Sequence, residues 1–254
     1  MKEIIFFDVD DTLVDSNTHK VSQRTIASLQ ALHKSYYLAI ATGRSLSTMK
    51  ESGVHKVIPW DIFVCNNGQM VYDGKEQLLI KHALAPQAVK QVLDIAKKRH
   101  EPVSLSLPEW QSIGEVSEDM LYAHTFFKVS LPTPTTYTGQ EVIMMLLYGP
   151  IGWDFAPYQG IEGITLVPGS STSCDVIKAG FDKSCGIQSA MDYLNCTSYL
   201  AFGDSNNDIA MLQNARIAIV MGQGTKEAKE HADFITKAVD EDGIAYAVEQ
   251  LHLC

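Results

Sequence analysis

Residues 2–13 read K-E-I-I-F-F-D-V-D-D-T-L, a short unbroken apolar run that stops at three carboxylates, Asp8, Asp10 and Asp11. A run of this kind, bounded by polar residues, suits a strand buried on both faces of a parallel sheet. In open α/β sheets ligands gather outside the carboxyl ends of the strands, which is where these acids stand. Asp8 and Asp10, two residues apart, would repel each other if left bare. They stay ionised only by sharing a cation or a proton, so the pair implies a metal site or an acid/base couple. The plain alternative is that Asp10 or Asp11 caps the helix that follows.

Working outward, Val21–His33 carries apolar residues at 21, 26, 29 and 32, a helical stripe, and Tyr37–Ala41 and Ile62–Cys65 are further buried strands. The alternation returns near the C-terminus. A helix over Lys183–Leu194 precedes a strand Tyr199–Phe202, a helix Asp208–Gln213 and a strand Ile217–Val220. A helix after Gly224, a strand Asp233–Ile235 and a closing helix from Gly243 complete it. Such alternation argues for βαβ units in a doubly wound parallel α/β sheet. The middle of the chain is patterned as α+β, with a helix over Pro86–Arg99 that has proline in its first turn. Extended segments follow near Val103–Leu107, Phe126–Val129, Val142–Leu147, Ile164–Val167 and Cys174–Ile177, and the Pro/Thr-rich Leu131–Gly139 reads as a loop. The expectation is a core from residues 1–83 and 177–254 with an inserted domain over 84–176.

Three more stretches place chemistry at expected strand ends. Ala41–Ser45 is A-T-G-R-S, a hydroxyl and a glycine before a helix start, whose free amides favour anions; an ordinary helix cap would look the same. Gly203–Leu212 is G-D-S-N-N-D-I-A-M-L, with more oxygen ligands than a helix start needs, although Asp208 could serve simply as a charge in the first turn. Lys178 and Lys183 flank the start of the preceding helix, where a lysine opposes the helix dipole; facing carboxylates and a phosphoryl group, it would neutralise charge.

Composition removes other classes. The 254 residues are 46% hydrophobic and 20% charged, enough for a full core. A formal net charge of -10 and the lack of any basic run argue against nucleic acid or anionic lipid as partners. The first residues do not form a signal peptide, so the mature protein is expected to start at residue 1. The longest apolar stretch, Val142–Tyr148, is far short of the roughly 20 residues that span a bilayer. Five cysteines without a C-x-x-C pair point to reduced thiols and a cytoplasmic setting. Histidines at metal-ligand spacing are lacking, which argues against zinc, and neither a G-x-x-x-x-G-K-[ST] loop nor a G-x-G-x-x-G follows the first strand.

The four acidic, hydroxyl and lysine elements, in this order, resemble the haloacid dehalogenase-like phosphatase superfamily, and the long insert resembles its Cof-type subgroup with a C2B cap. The likeness covers essentially the whole chain. It implies a Rossmann-like core, Mg²⁺ as cofactor, a small phosphorylated metabolite such as a sugar phosphate as substrate, and an aspartyl-phosphate on Asp8. It also implies that Asp10 is the general acid and then the base, and that Asp10 lends its backbone carbonyl to the metal. Thr42 would bond the phosphoryl oxygens, Lys183 would neutralise Asp8 and the phosphate, and Asp204 would bind the metal, with Asn207 and Asp208 holding its waters or the lysine. Asp8, Asp10, Asp204 and Asp208 are thus the expected metal site, and Thr42, Gly43, Arg44, Asn67, Lys183 and Asn207 the expected substrate contacts. Trp110, Trp153 and Phe155 are candidates for lining the cap pocket, or else simply core. One departure stands out: the position after Asp10, often Gly in relatives, is Asp11, expected to point outward or cap the helix.

A phosphotransferase or mutase using the same intermediate, or a phosphometabolite-binding regulator, would share these elements. Chain length, the insert and the place of the candidate nucleophile argue against a receiver module. Nothing in the sequence sets the oligomeric state.

Overall fold

The computed structural model describes residues 2–107, 110–169 and 171–254. In chain order it runs β1 (Ile4–Phe7), α1 (Gln23–Leu32), β2 (Tyr37–Ala41), α2 (Leu46–Ser52), β3 (Ile62–Cys65), β4 (Met70–Asp73) and β5 (Leu78–Lys81). Then come α3 (Pro86–Arg99), β6 (Val103–Ser106), β7 (Trp110–Ile113), α4 (Glu118–Phe126), β8 (Thr133–Pro134), β9 (Met144–Tyr148), β10 (Ile164–Pro168) and β11 (Ser173–Lys178). The chain closes with α5 (Lys183–Leu194), β12 (Tyr199–Gly203), α6 (Ile209–Gln213), β13 (Ile217–Val220), α7 (Lys226–Lys229), β14 (Phe234–Ile235) and α8 (Gly243–Gln250). The chain divides into two compact units: one formed by both ends, up to Ile80 and from Asp182, and one from Lys81–Phe181.

The first unit is built on an eight-stranded sheet in the order β14-β13-β12-β1-β2-β3-β4-β5. The six strands from β14 to β3 are parallel, and β4 runs antiparallel to β3. The chain leaves β1 to one side through β2 and returns to its other side at β12, so β1 lies at the point where strand order reverses. That reversal opens a crevice at the carboxyl ends of these strands. Both faces are buried, as the unbroken apolar runs require. Ile4 and Phe6 pack on one face with Ala39, Ala41, Ile187 and Ala201. Ile5, Phe7, Leu38 and Ile40 are equally buried and, by the alternation of strand side chains, point the other way. There Phe7 stacks on Phe202 with ring centroids 4.9 Å apart. Helix starts are capped locally: Ser22 Oγ accepts from Thr25 N at 3.0 Å, and Asp182 Oδ1 from Ser184 N at 2.8 Å.

The second unit carries a six-stranded, mainly antiparallel sheet in the order β10-β11-β9-β6-β7-β8. Val89, Val92 and Ala96 of α3 pack with Val103, Leu105, Met145, Leu147, Cys174 and Val176 into one core. Proline in the first turn and Lys97, Lys98 and Arg99 in the last favour α3 at both ends. On the other face, Met120 and Ala123 of α4 meet Leu146 and Tyr148.

The extended segment expected at Phe126–Val129 is not formed. Phe126 ends α4, and the chain turns there with Val129 N donating to His124 O at 3.0 Å. The helix is capped by Ser117, with Glu118 and Asp119 in its first turn, but Leu121 and Tyr122 are exposed beside the buried Met120 and Ala123. It is apolar on more than one side and shows no stripe to read. The units part at Ile80/Lys81 and Phe181/Asp182, whereas the sequence suggested 83/84 and 176/177. Among the described residues no helix is long and apolar enough to cross a membrane.

Candidate active site

Asp8 continues the line of β1, its N–H donating to Phe202 O at 3.0 Å, so its side chain emerges where β1 and β12 end together. Lys183 is the first residue of α5 and is completely buried. Its Nζ lies 2.6 Å from Asp8 Oδ1 and 2.7 Å from Asp208 Oδ1. A dipole-opposed lysine is thus held by two carboxylates that outweigh the helix end. The close seating of α5 depends on glycine: a Cβ at Gly186 would fall 2.6 Å from Val64 Cγ1 and 2.8 Å from Gly68 Cα.

Asp208 is also fully buried, and its second oxygen accepts from Asp204 N at 3.0 Å and Ser205 N at 3.1 Å. With both oxygens engaged, it braces the lysine and the Asp204 turn. A Cβ on Gly203 would sit 2.7 Å from Asp208 Cγ, so only glycine leaves room for this tuck. Asp204 Oδ1 accepts from Thr12 Oγ1 at 3.2 Å. Asp8, Asp204 and Asp208 each bring a carboxylate oxygen within 4.8 Å of the others.

Asp10 faces elsewhere. Its two oxygens take a bidentate pair from Arg44, Nε to Oδ2 at 2.9 Å and Nη2 to Oδ1 at 2.7 Å. Arg44 comes from the turn after β2, where its N–H donates to Thr42 Oγ1 at 3.1 Å and Gly43 lies in the bend between them. That turn is stitched to the next strand end: Asn66 N donates to Arg44 O at 2.9 Å and Asn67 N to Thr42 O at 3.1 Å. Asn66 and Asn67 both take left-handed backbone, which asparagine tolerates. Asn207 Nδ2 comes within 3.5 Å of Asn67 Oδ1. The structure thus brings Asp8, Thr42, Asn67, Lys183, Asp204, Asn207 and Asp208 to neighbouring strand ends, while Arg44 and the Asp10 side chain bind each other.

The electrostatics follow from burial. Desolvation pushes the Asp8 carboxyl up to about 7 against the pull of Lys183, with Asp208 and Asp10 adding to the rise. Desolvation, then Asp208, Asp8 and Asp11, pushes Asp204 up to about 9. Burial works against the Lys183 ammonium, but Asp208 and Asp8 outweigh it and raise its value. Three carboxylates thus share one ammonium. A small hard dication fits that donor set, because it supplies the missing positive charge and prefers oxygen ligands. Asp8 and Asp204 would hold Mg²⁺, and Asp208 would brace them.

Lys178 ends β11 in the second unit, with its ammonium 4.9 Å from the Phe181 ring centroid. Phe155 is core, packed on Trp153 at 4.5 Å, and Trp110 opens β7. Cys65 and Cys174 are buried, and burial pushes both thiols up, away from the nucleophilic thiolate. Asp11 takes left-handed backbone at φ 58°, which explains why glycine suits this position; its Oδ1 accepts from Ser16 N at 3.0 Å inside the loop rather than capping a helix. Thr12, Gln223 and Thr225 were not legible as site residues. Thr225 N donates to Asp204 O at 2.8 Å and Gln223 Nε2 donates to Asp11 O. For Gln223 and Thr225 the sequence sign is the amide between two glycines, M-G-Q-G-T, just after β13.

Carboxylates at the ends of parallel strands around a reversal of strand order, with a buried lysine held between two of them, mark this as the candidate active site. Residues 5–248 match the haloacid dehalogenase-like hydrolase family, and the chain belongs to it. Among its relatives, YkrA of Bacillus subtilis is 32% identical over 263 residues, spanning 99% of this chain and 98% of that protein. The 5-amino-6-(5-phospho-D-ribitylamino)uracil phosphatase YcsE of Bacillus subtilis is 25% identical, covering 97% and 94% of the two chains. Of solved structures, the subclass IIB sugar phosphatase BT4131 superposes with a TM-score of 0.88 at 26% identity, covering 99% of this chain and all of that one.

Proposed function

We propose that this hydrolase is a Mg²⁺-dependent phosphatase of a small phosphorylated metabolite, a sugar or polyol phosphate, acting through an aspartyl-phosphate on Asp8. The observation that carries the reading is the buried Asp8–Lys183–Asp208 triplet beside Asp204. A carboxylate attacks a phosphate dianion only where their repulsion is screened. Bound Mg²⁺ would supply screening for the phosphoryl oxygens and for Asp8. Lys183 holds Asp8 Oδ1, which leaves Oδ2 to attack phosphorus. The Asp8 oxygen–phosphorus bond forms, the bond from phosphorus to the alcohol oxygen breaks, and Asp10, protonated and turned from its pair with Arg44 toward the leaving oxygen, gives that oxygen a proton. Asp10 then takes a proton from water as its oxygen attacks phosphorus, and inorganic phosphate leaves Asp8. Thr42 would bond the phosphoryl oxygens, and Arg44 would hold the ionised Asp10 carboxylate between turnovers.

The names of two relatives support the substrate class, one a sugar phosphatase and one acting on a phosphoribityl compound. The Lys81–Phe181 unit is read as the family's cap, carrying the choice of leaving group. The free cysteines support a cytoplasmic setting.

Phosphate release from a panel of phosphorylated metabolites, with and without Mg²⁺, tests this. Mg²⁺-dependent turnover should fall on the order of 10⁴-fold or more in Asp8→Asn. Silence of the wild type across the panel, or an active Asp8→Asn, would sink the reading, and phosphate appearing on an added alcohol instead of in water would move it to a phosphotransferase.

A further inference from the structure

The turn that presents Asp10 is held in place partly from outside itself. Asp11 takes the left-handed backbone that a non-glycine residue keeps only where its surroundings hold it there. Two of its bonds are local, Asp11 N to Val14 O at 2.8 Å and Ser16 N to Asp11 Oδ1 at 3.0 Å. The third comes from across the sheet, where Gln223 Nε2 donates to Asp11 O.

Gln223 sits in the loop after β13, and this loop is anchored on two sides. Gly222 N donates to Lys237 O at 3.0 Å, and Thr225 N to Asp204 O at 2.8 Å. Space is tight on both: a Cβ at Gly222 would lie 2.7 Å from Ala238 N, and one at Gly224 would lie 2.8 Å from Asp204 O. The Gln223 amide is also doubly engaged, because its Oε1 accepts from Val239 N at 3.1 Å. A carbonyl partner needs the NH₂ and an N–H partner needs the oxygen, so one orientation of the amide satisfies both. Gln223 is an exposed residue, so its side chain fills no core space. Its two bonds join the backbones of two separate loops, one of them the loop that carries Asp10.

We propose that Gln223 is a positioning residue for proton transfer: by holding the Asp11 carbonyl it fixes the turn that aims the Asp10 carboxylate. This rests on the acid/base part assigned to Asp10 above. An alkyl leaving group needs a proton as it departs, whereas p-nitrophenolate leaves without one. A loosened Asp10 should therefore penalise alkyl substrates selectively. The value of kcat/KM reports only steps up to departure of the alcohol, so the later attack of water does not blur the comparison.

The experiment measures kcat/KM with Mg²⁺ for the best alkyl phosphate of the panel and for p-nitrophenyl phosphate, in the wild type, Gln223→Ala and Gln223→Glu. The glutamate variant keeps the acceptor for Val239 N but loses the donor to Asp11 O. Both variants should keep a cooperative melt close to the wild type. In both, the alkyl phosphate should lose about 10-fold to 100-fold while the aryl phosphate stays within roughly twofold, part of the 10²–10⁴-fold that a general acid provides. An unchanged ratio, whether both substrates fall together or neither falls, overturns the assignment of Gln223. A wild type inactive on both substrates overturns the phosphatase reading itself.

Discussion

The two sheets bury polar side chains in different ways. In the six-stranded sheet a hydrogen-bonded chain runs from Ser104 through Tyr148 to His124: the Ser104 and Tyr148 hydroxyls are 2.7 Å apart, His124 Nε2 is 2.9 Å from Tyr148 Oη, and Nδ1 is 3.0 Å from Ser130 O. These groups find partners within their own unit. In the eight-stranded sheet the buried groups are ionisable and stand at strand ends, with the carboxyl groups of Asp8, Asp204 and Asp208 around the ammonium of Lys183. A hydrogen-bonded network of this kind serves the fold, because its polar groups satisfy one another. A buried cluster with surplus negative charge is stable only with help from a cation, and that demand makes it a site.

Removing the lysine should break this contrast most sharply. Lys183→Met leaves Asp8 and Asp208 buried without their counter-charge, and urea unfolding should show a loss of about 3–5 kcal/mol. Phosphate release should fall by at least about 10²-fold. A variant as stable as the wild type would mean that the carboxylates are not coupled through Lys183.

The surplus charge should next appear as a link between pH and Mg²⁺. Folding raises Asp204 from 3.8 to about 9, chiefly by desolvation, so the folded state favours its protonated form. That contribution to stability is full below the ordinary value and is lost as pH rises through about 9. Mg²⁺ binds the ionised carboxylates, so the rise in melting temperature on adding Mg²⁺ should grow across this window. Taking the Mg²⁺-induced difference removes groups such as Glu3 and Asp15, whose lowered values act in the opposite sense at low pH. A shift that does not change with pH would place the metal away from Asp204.

The smallest expected effect lies in the Ser104–Tyr148–His124 chain. Tyr148→Phe takes a hydrogen-bond partner from both Ser104 and His124 and should cost about 1–3 kcal/mol in urea unfolding. The Mg²⁺-induced shift should stay as in the wild type; a changed shift would tie the two sheets' polar groups together.

Much of the first unit was legible because its strands are unbroken apolar runs and its helices carry local caps. β2, β3, β13, α3 and α5 begin and end at the residues the sequence suggests. β4 and β7 escaped because polar residues break their apolar runs, Asp73 closing β4 and Gln111 and Ser112 standing inside β7. Helix α4 escaped because Leu121, Tyr122 and Phe126 blur its apolar face. Arg44 was legible as a site residue but not in its partnership with Asp10, and Gln223 was not legible at all, since its meaning lies in a carbonyl 212 residues away.

By itself the sequence determined which chemistry stands at which strand end, because Asp8, Thr42, Asn67 and Asp204 each follow within a residue or two of an apolar run that must be buried. Which cation meets which carboxylate was decided only by the tertiary structure. Lys183 reaches Asp8 across 175 residues and Arg44 reaches Asp10 across 34. Those distances close because β1 lies between β2 and β12, an ordering set by packing both faces of the sheet rather than by any local pattern.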